Sequence, residues 1–72
     1  MKIYTQDRER ILEMPSDIWV VEYGPESYGG VFSTSRNPQL GEYKTKSRAR
    51  EVLGEIFKYF RDGKNSYIMP LE

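Results

Sequence analysis

Six consecutive residues, Ile18-Trp19-Val20-Val21-Glu22-Tyr23, do most to limit the folds open to this chain. β-Branched and aromatic side chains over that length favour an extended strand. Strand alternation sends Ile18, Val20 and Glu22 to one side and Trp19, Val21 and Tyr23 to the other. Both sides are largely apolar, whereas an antiparallel strand with one wet face alternates apolar with polar. Such a strand needs cover on two sides. The segment Arg10–Met14 or the chain ends can supply the second cover. Otherwise Trp19 and Tyr23, with Tyr28 or Phe32, form an exposed aromatic patch of the kind that marks an interface or a ligand groove.

The flanking sequence supplies neighbours for this strand. Gly24-Pro25-Glu26-Ser27 is a turn cluster, and Tyr28–Thr34 reads as the returning arm of a hairpin. Gly29-Gly30 within that arm points to a bulge or to a close approach by another element. Lys2–Thr5 and Arg10–Met14 read as two short strands, the second ended by Met14-Pro15 because proline cannot donate to a ladder. Ser35–Gln39, with Asn37-Pro38, reads as loop. One helix is clear: Thr45 can cap it, and Ala49, Val52, Leu53, Ile56, Phe57 and Phe60 recur at helical spacing along one face. Asp62-Gly63 supplies its stop, which places the helix at about residues 46–61. Ser66–Met69 reads as a last strand before Pro70. The order β-β-β-β-α-β predicts one α+β domain over 1–72, with a small, mostly antiparallel sheet and the helix on one of its faces.

Composition narrows the chemistry. The 72 residues contain no cysteine and no histidine, and 11 basic side chains balance 11 acidic ones. No disulfide, thiolate metal site or thiol nucleophile is available, and the usual zinc ligand and neutral-pH acid–base group are absent too. Neither a metal nor a cofactor is expected. A general DNA binder would carry a basic surplus. No apolar run approaches the about 20 residues of a membrane helix, and the N-terminus turns polar too early for a signal-peptide core, so a cytoplasmic protein is expected. Glu51, Glu55 and Lys58 look like ordinary helix-surface charge, Tyr28-Gly29-Gly30 lacks the Lys-Ser/Thr of a phosphate loop, and no enzyme activity is expected. Domains of this size often oligomerise for lack of a large core, so a homo-oligomer is expected.

The charge is unevenly spread. Residues 1–30 carry three basic and six acidic side chains, and residues 31–72 carry eight basic and five acidic. Within the second part, Lys44, Lys46, Arg48 and Arg50 crowd the start of the helix, where the helix dipole is positive and acidic residues would be the stabilising choice. Free backbone N–H groups at such an end can hold an anion. On a helical wheel Lys46, Arg50 and Arg61 flank the apolar face with Gly54 between them, so these five cations form a candidate anion site. The competing reading is that the arginines lie over the sheet edge and Gly54 packs against a strand.

Three stretches, Met1-Lys2-Ile3-Tyr4-Thr5-Gln6-Asp7, Leu40-Gly41-Glu42-Tyr43-Lys44-Thr45 followed by Ala49, Val52 and Leu53, and Tyr67-Ile68-Met69-Pro70, give the chain a wider likeness. It resembles a group of very small proteins from phages, prophages and other mobile elements of Gram-positive bacteria, for which no catalytic residues are agreed. The shared LG-x-Y-x-T pattern looks like a strand end feeding a helix N-cap. The basic run Lys46-Ser47-Arg48 departs from the acidic residues more usual there. The resemblance implies a non-catalytic host-interaction or counter-defence protein that binds a host protein or a nucleotide signal; the helix-start cations and the aromatic sheet face suit a nucleotide, with charge for phosphate and stacking for base. The alternatives are a nucleic-acid-binding accessory protein, using the aromatic sheet face and the basic helix start, or a purely structural homo-oligomer.

Overall fold

A computed structural model describes residues 1–14, 17–33 and 39–72, with the side chain of Ser33 left aside. The elements are β1 (Lys2–Tyr4), β2 (Ile11–Glu13), β3 (Ile18–Tyr23), β4 (Tyr28–Ser33), β5 (Gln39–Tyr43), α1 (Lys46–Arg61) and β6 (Ser66–Ile68). The α+β class and the bounds of the helix agree with the sequence reading. The strands differ from it in three ways. They divide into two three-stranded sheets, β2-β1-β6 and β3-β4-β5, and the pairing of β1 with β6 is parallel. The strand β5 is also additional to the sequence reading, since Gln39 reads as loop and Leu40–Thr45 only as a strand end feeding the helix. Gln39, Gly41 and Glu42 have little intrinsic strand preference; pairing with β4 holds them extended, through a register shift between Val31 and Phe32. The rest of the expected 35–39 loop, and Thr34, lie outside the described residues.

The core follows from these pairings. Ile3, Val31, Leu40, Tyr43, Ala49, Val52, Ile56, Tyr67 and Met69 are buried together, with Met1, Leu12, Met14, Ile18 and Val20 packed around them. Full burial of each large aliphatic among them contributes roughly 1.5–3 kcal/mol. Both sheets and the helix therefore share one core. The β2 strand, named above as a cover for the far side of Ile18–Tyr23, instead pairs with β1 in the other sheet.

Helix α1 has well-formed ends. The Thr45 side chain accepts from the Arg48 N–H at 3.1 Å, as an N-cap should. At the other end the Gly63 N–H reaches the Phe60 carbonyl at 3.1 Å and the Lys64 N–H reaches Tyr59 at 3.0 Å. With Gly63 at φ +73° this is a Schellman stop. The N-terminal turn stands on β4 at Gly29, where a Cβ would lie 2.5 Å from the Thr45 carbonyl oxygen and 2.7 Å from the Lys46 Cα. The close approach expected of Gly29-Gly30 is thus made by the helix itself. The helix buries Ala49, Val52 and Ile56. Phe57 and Phe60, assigned to the same apolar face by spacing, are 61% and 56% exposed. The predicted stripe is wider than the sheet it covers.

Candidate functional site

The far face of the β3-β4-β5 sheet is built by alternation. Trp19 pairs with Phe32, Val21 with Gly30, and Tyr23 with Tyr28, so all six project to one side. The helix lies against the other side, with Val20, Val31 and the Cβ position of Gly29 directed towards it. Gly30 is what lets the aromatic rings lie down: a Cβ there would run into the rings of Phe32 and Tyr23. Those two rings meet edge to face, with centroids 6.0 Å apart, an arrangement favoured by the ring quadrupoles. Trp19 is 41% exposed, and Tyr23, Tyr28 and Phe32 are half-buried. Among the described residues, no other element packs on this face.

Its polar margin is acidic. The Tyr23 hydroxyl donates to Glu42 and accepts from Gln39 Nε2 at 2.8 Å. Tyr28 donates to Glu26 at 2.7 Å. Burial, reinforced by Glu42, raises the Tyr23 pKa above the ordinary phenol value, and the Glu26 carboxylate raises that of Tyr28. Both phenols therefore hold their protons and act as fixed donors towards carboxylates. The sequence reading named Trp19, Tyr23, Tyr28 and Phe32 and the structure brings them together. Glu26, Gln39 and Glu42, which complete the margin, carry no sequence signal that ties them to these rings; Glu42 reaches the margin only because β5 pairs with β4.

The five candidate cations are not brought together. Lys44 and Arg50 are exposed and Lys46 is half-buried around the first turn of α1. Arg48 is engaged within the chain: its Nε and Nη2 donate to the main-chain oxygen of Glu72 at 3.1 and 2.9 Å, and Nη1 lies 3.3 Å from Glu51. Its guanidinium also sits 5.9 Å from the Tyr43 ring centroid. Arg61 is at the other end of the helix, about 22 Å along the axis at 1.5 Å per residue, and its Nε lies 3.4 Å from Asp62. There it complements the negative end of the dipole. A shallow cleft of about 270 Å³ beside the helix start is lined by Glu42, Tyr43, Lys44, Arg48, Leu71 and Glu72, acidic as well as basic groups. Gly54 meets nothing within 4 Å, so it does not pack against a strand.

The helix start and the aromatic rings lie on opposite sides of one sheet. Glu42 is common to the cleft beside the helix start and to the margin of the aromatic face. Among the described residues there is no cluster of three or more acidic side chains able to hold a metal ion, and no helix long and apolar enough to cross a membrane. No family model, curated protein or solved structure matches this chain.

Proposed function

We propose that this chain is a non-catalytic binding protein that presents the Trp19–Tyr23–Tyr28–Phe32 face to another protein. The observation that carries the reading is the set of four aromatic side chains on one sheet face over which, among the described residues, nothing is packed. Tryptophan and tyrosine dominate binding energy at protein interfaces, because they bury large areas with few rotatable bonds. The Glu26 and Glu42 carboxylates at the margin favour a partner whose own rim carries arginine or lysine. The resemblance to small phage and mobile-element proteins supplies the biological setting: a host-interaction or counter-defence factor whose partner is a host protein.

Nucleic acid is the alternative. Sheet aromatics do stack on single-stranded bases, but such surfaces interleave the rings with cations that track phosphates. Here, among the described residues, the rings are bordered by the Glu26 and Glu42 carboxylates, and Lys46, Arg48 and Arg50 belong to the helix on the other side of the sheet, so the protein partner is preferred.

The test is a pair of baits, wild type and Trp19→Ala/Phe32→Ala, each checked by circular dichroism and used on lysate from a Gram-positive host. A partner bound by the wild type is expected to bind the double variant at least about 30-fold more weakly, the loss of about 2 kcal/mol or more that a hot-spot aromatic carries. Equal binding to both baits would refute this face. Trp19 fluorescence with oligonucleotides at low and high salt covers the alternative, since phosphate binding weakens steeply as salt rises.

A further inference from the structure

The two edges of the β3-β4-β5 sheet are treated differently. The outer edge of β5 is closed by Gln6. Its backbone N–H donates to the Leu40 carbonyl at 3.0 Å, its Nε2 to the Glu42 carbonyl at 2.8 Å, and its Oε1 accepts the Glu42 N–H at 2.7 Å. One residue thus serves as a strand. The outer edge of β3 has no such partner among the described residues, since β3 pairs with β4 alone. Edge strands are normally protected by lysine, proline, a bulge or a cover. β3 runs six residues, Ile18–Tyr23, with Glu22 as its single charge and no register shift.

The helix adds a second open surface on the same side. One flank of α1 faces β6: the Tyr59 ring meets Tyr67 edge to face at 5.0 Å, and the Tyr67 hydroxyl donates to Glu55 at 2.6 Å. By helical period the opposite flank carries Leu53 and Phe57, with Phe60 at the end of the helix, and with one flank turned to β6 and the helix seated on β4 and β3, this one falls to the β3 side. The two phenylalanines there are 61% and 56% exposed.

We infer that the β3 edge and the Leu53–Phe57–Phe60 flank together form the docking surface for a second copy of this chain. An antiparallel β3–β3 pairing about a two-fold axis normal to the sheet makes one six-stranded sheet. It occupies the free hydrogen-bonding groups of both edges. The helices lie over β3 and β4, and strands are spaced about 4.8 Å apart, so the two helices are set roughly 10–14 Å from one another. Helices pack at 8–10 Å with ordinary side chains, and phenylalanines from both copies fill the larger gap. One operation therefore covers both open surfaces. Zero net charge leaves the copies no overall repulsion to overcome.

The register follows from the side chains. Residues opposite each other must face the same way, so the axis passes through a residue rather than between two. Centring on Val21 sets Trp19 of each copy beside Tyr23 of the other, two aromatic cross-strand pairs of the kind that stabilise sheets. Centring on Val20 would instead set Ile18 beside Glu22. The dimer rests on the strand edge and the helix flank, with Trp19 and Tyr23 entering only its register; Phe57, on the helix side of the sheet, tests it apart from the partner proposed for the aromatic face.

Sedimentation of the full chain from micromolar to millimolar concentration tests it, with two variants. The wild type is expected to move from 8.5 kDa to twice that mass. Val21→Cys, the sole cysteine in an otherwise cysteine-free chain, is expected to give a covalent dimer under mild oxidation. Phe57→Lys, at an exposed position that leaves the fold intact by circular dichroism, is expected to raise the dissociation constant by about tenfold or more. A mass of 8.5 kDa throughout overturns the inference. So does a dimer that Phe57→Lys leaves unchanged, or one in which Val21→Cys does not cross-link; that dimer would be joined face to face through the aromatic rings.

Discussion

Glycines 29 and 30 are adjacent in β4 and serve opposite faces of the sheet. At Gly29 the missing Cβ makes room for backbone, since Thr45 and Lys46 lie against it. At Gly30 it makes room for the Phe32 and Tyr23 rings, which can rotate away. The two positions should therefore respond differently to the same added methyl. Gly29→Ala is expected to destabilise the fold by about 1–3 kcal/mol, the usual cost of overpacking where nothing can move aside. Gly30→Ala is expected to cost less and to leave Trp19, Tyr23 and Phe32 rearranged. Urea unfolding of the two variants gives the comparison; a Gly30→Ala cost equal to or above that of Gly29→Ala would contradict the seating of the helix on β4. The pattern Tyr28-Gly29-Gly30 was readable as a place of close approach, but which neighbour approached each glycine was not.

At the scale of elements, α1 is the most completely specified part of the chain. Its cap, its buried residues Ala49, Val52 and Ile56, its terminal Lys58 and Arg61, and its Gly63 stop all sit where spacing and capping chemistry place them. Its first turn holds no acidic residue. The structure gives one reason for a cation there, since Arg48 joins the helix to Glu72 and covers Tyr43. Gly54 has no corresponding role: it is exposed and has open space around its Cβ position. Gly54→Ala is therefore expected to stabilise the fold by about 0.5–1 kcal/mol through the unfolded chain's lost freedom and the better helix propensity. A higher thermal midpoint than wild type checks it, and a lowered one would mean that something does approach this position. The short strands show the reverse case. Lys2–Tyr4, Ile11–Glu13 and Ser66–Ile68 are three residues each, too short to be stable alone. Each exists because β1 stands between the other two.

For the molecule as a whole, two buried tyrosines tie the sheets, the helix and the C-terminal segment together. Tyr43 donates to the Pro70 carbonyl at 2.9 Å, and Tyr67 donates to Glu55 at 2.6 Å. Burial pushes the Tyr43 phenol from its ordinary 10.0 up to about 12. Burial, reinforced by the Glu55 carboxylate, raises Tyr67 as well. The folded state then holds both phenolic protons more tightly than the unfolded chain does. Linkage gives the sign: their stabilisation is complete below pH about 10 and is lost as pH rises towards the folded values. Stability measured by urea midpoint is expected to fall above about pH 10. Two of the six tyrosines should show phenolate absorbance only as the fold is lost. A rise of all six in one transition near the ordinary value, with circular dichroism unchanged, would contradict the burial of this pair.

The sequence by itself determined the local features: the helix and its ends, the β3–β4 hairpin about Gly24–Ser27, the α+β class, and the shared side of Trp19 and Tyr23 on β3, while the β3–β4 register placed Tyr28 and Phe32 together beside them. Each depends on residues within a few positions of one another, through strand alternation, helical period or turn chemistry. Tertiary structure alone decided the division into two sheets, the strand at Gln39–Tyr43, and the parallel pairing of β1 with β6 across almost the whole chain. Those depend on contacts between residues far apart, for which alternation carries no address. It also decided the fate of charges and apolar residues that spacing had grouped. Phe57 and Phe60 share a stripe with Ile56, yet they extend past the limit of the sheet. Lys46 and Trp19 each looked suited to one nucleotide, yet a sheet stands between them. A helical wheel or a strand pattern gives direction around one element; only the packed molecule says what lies in that direction.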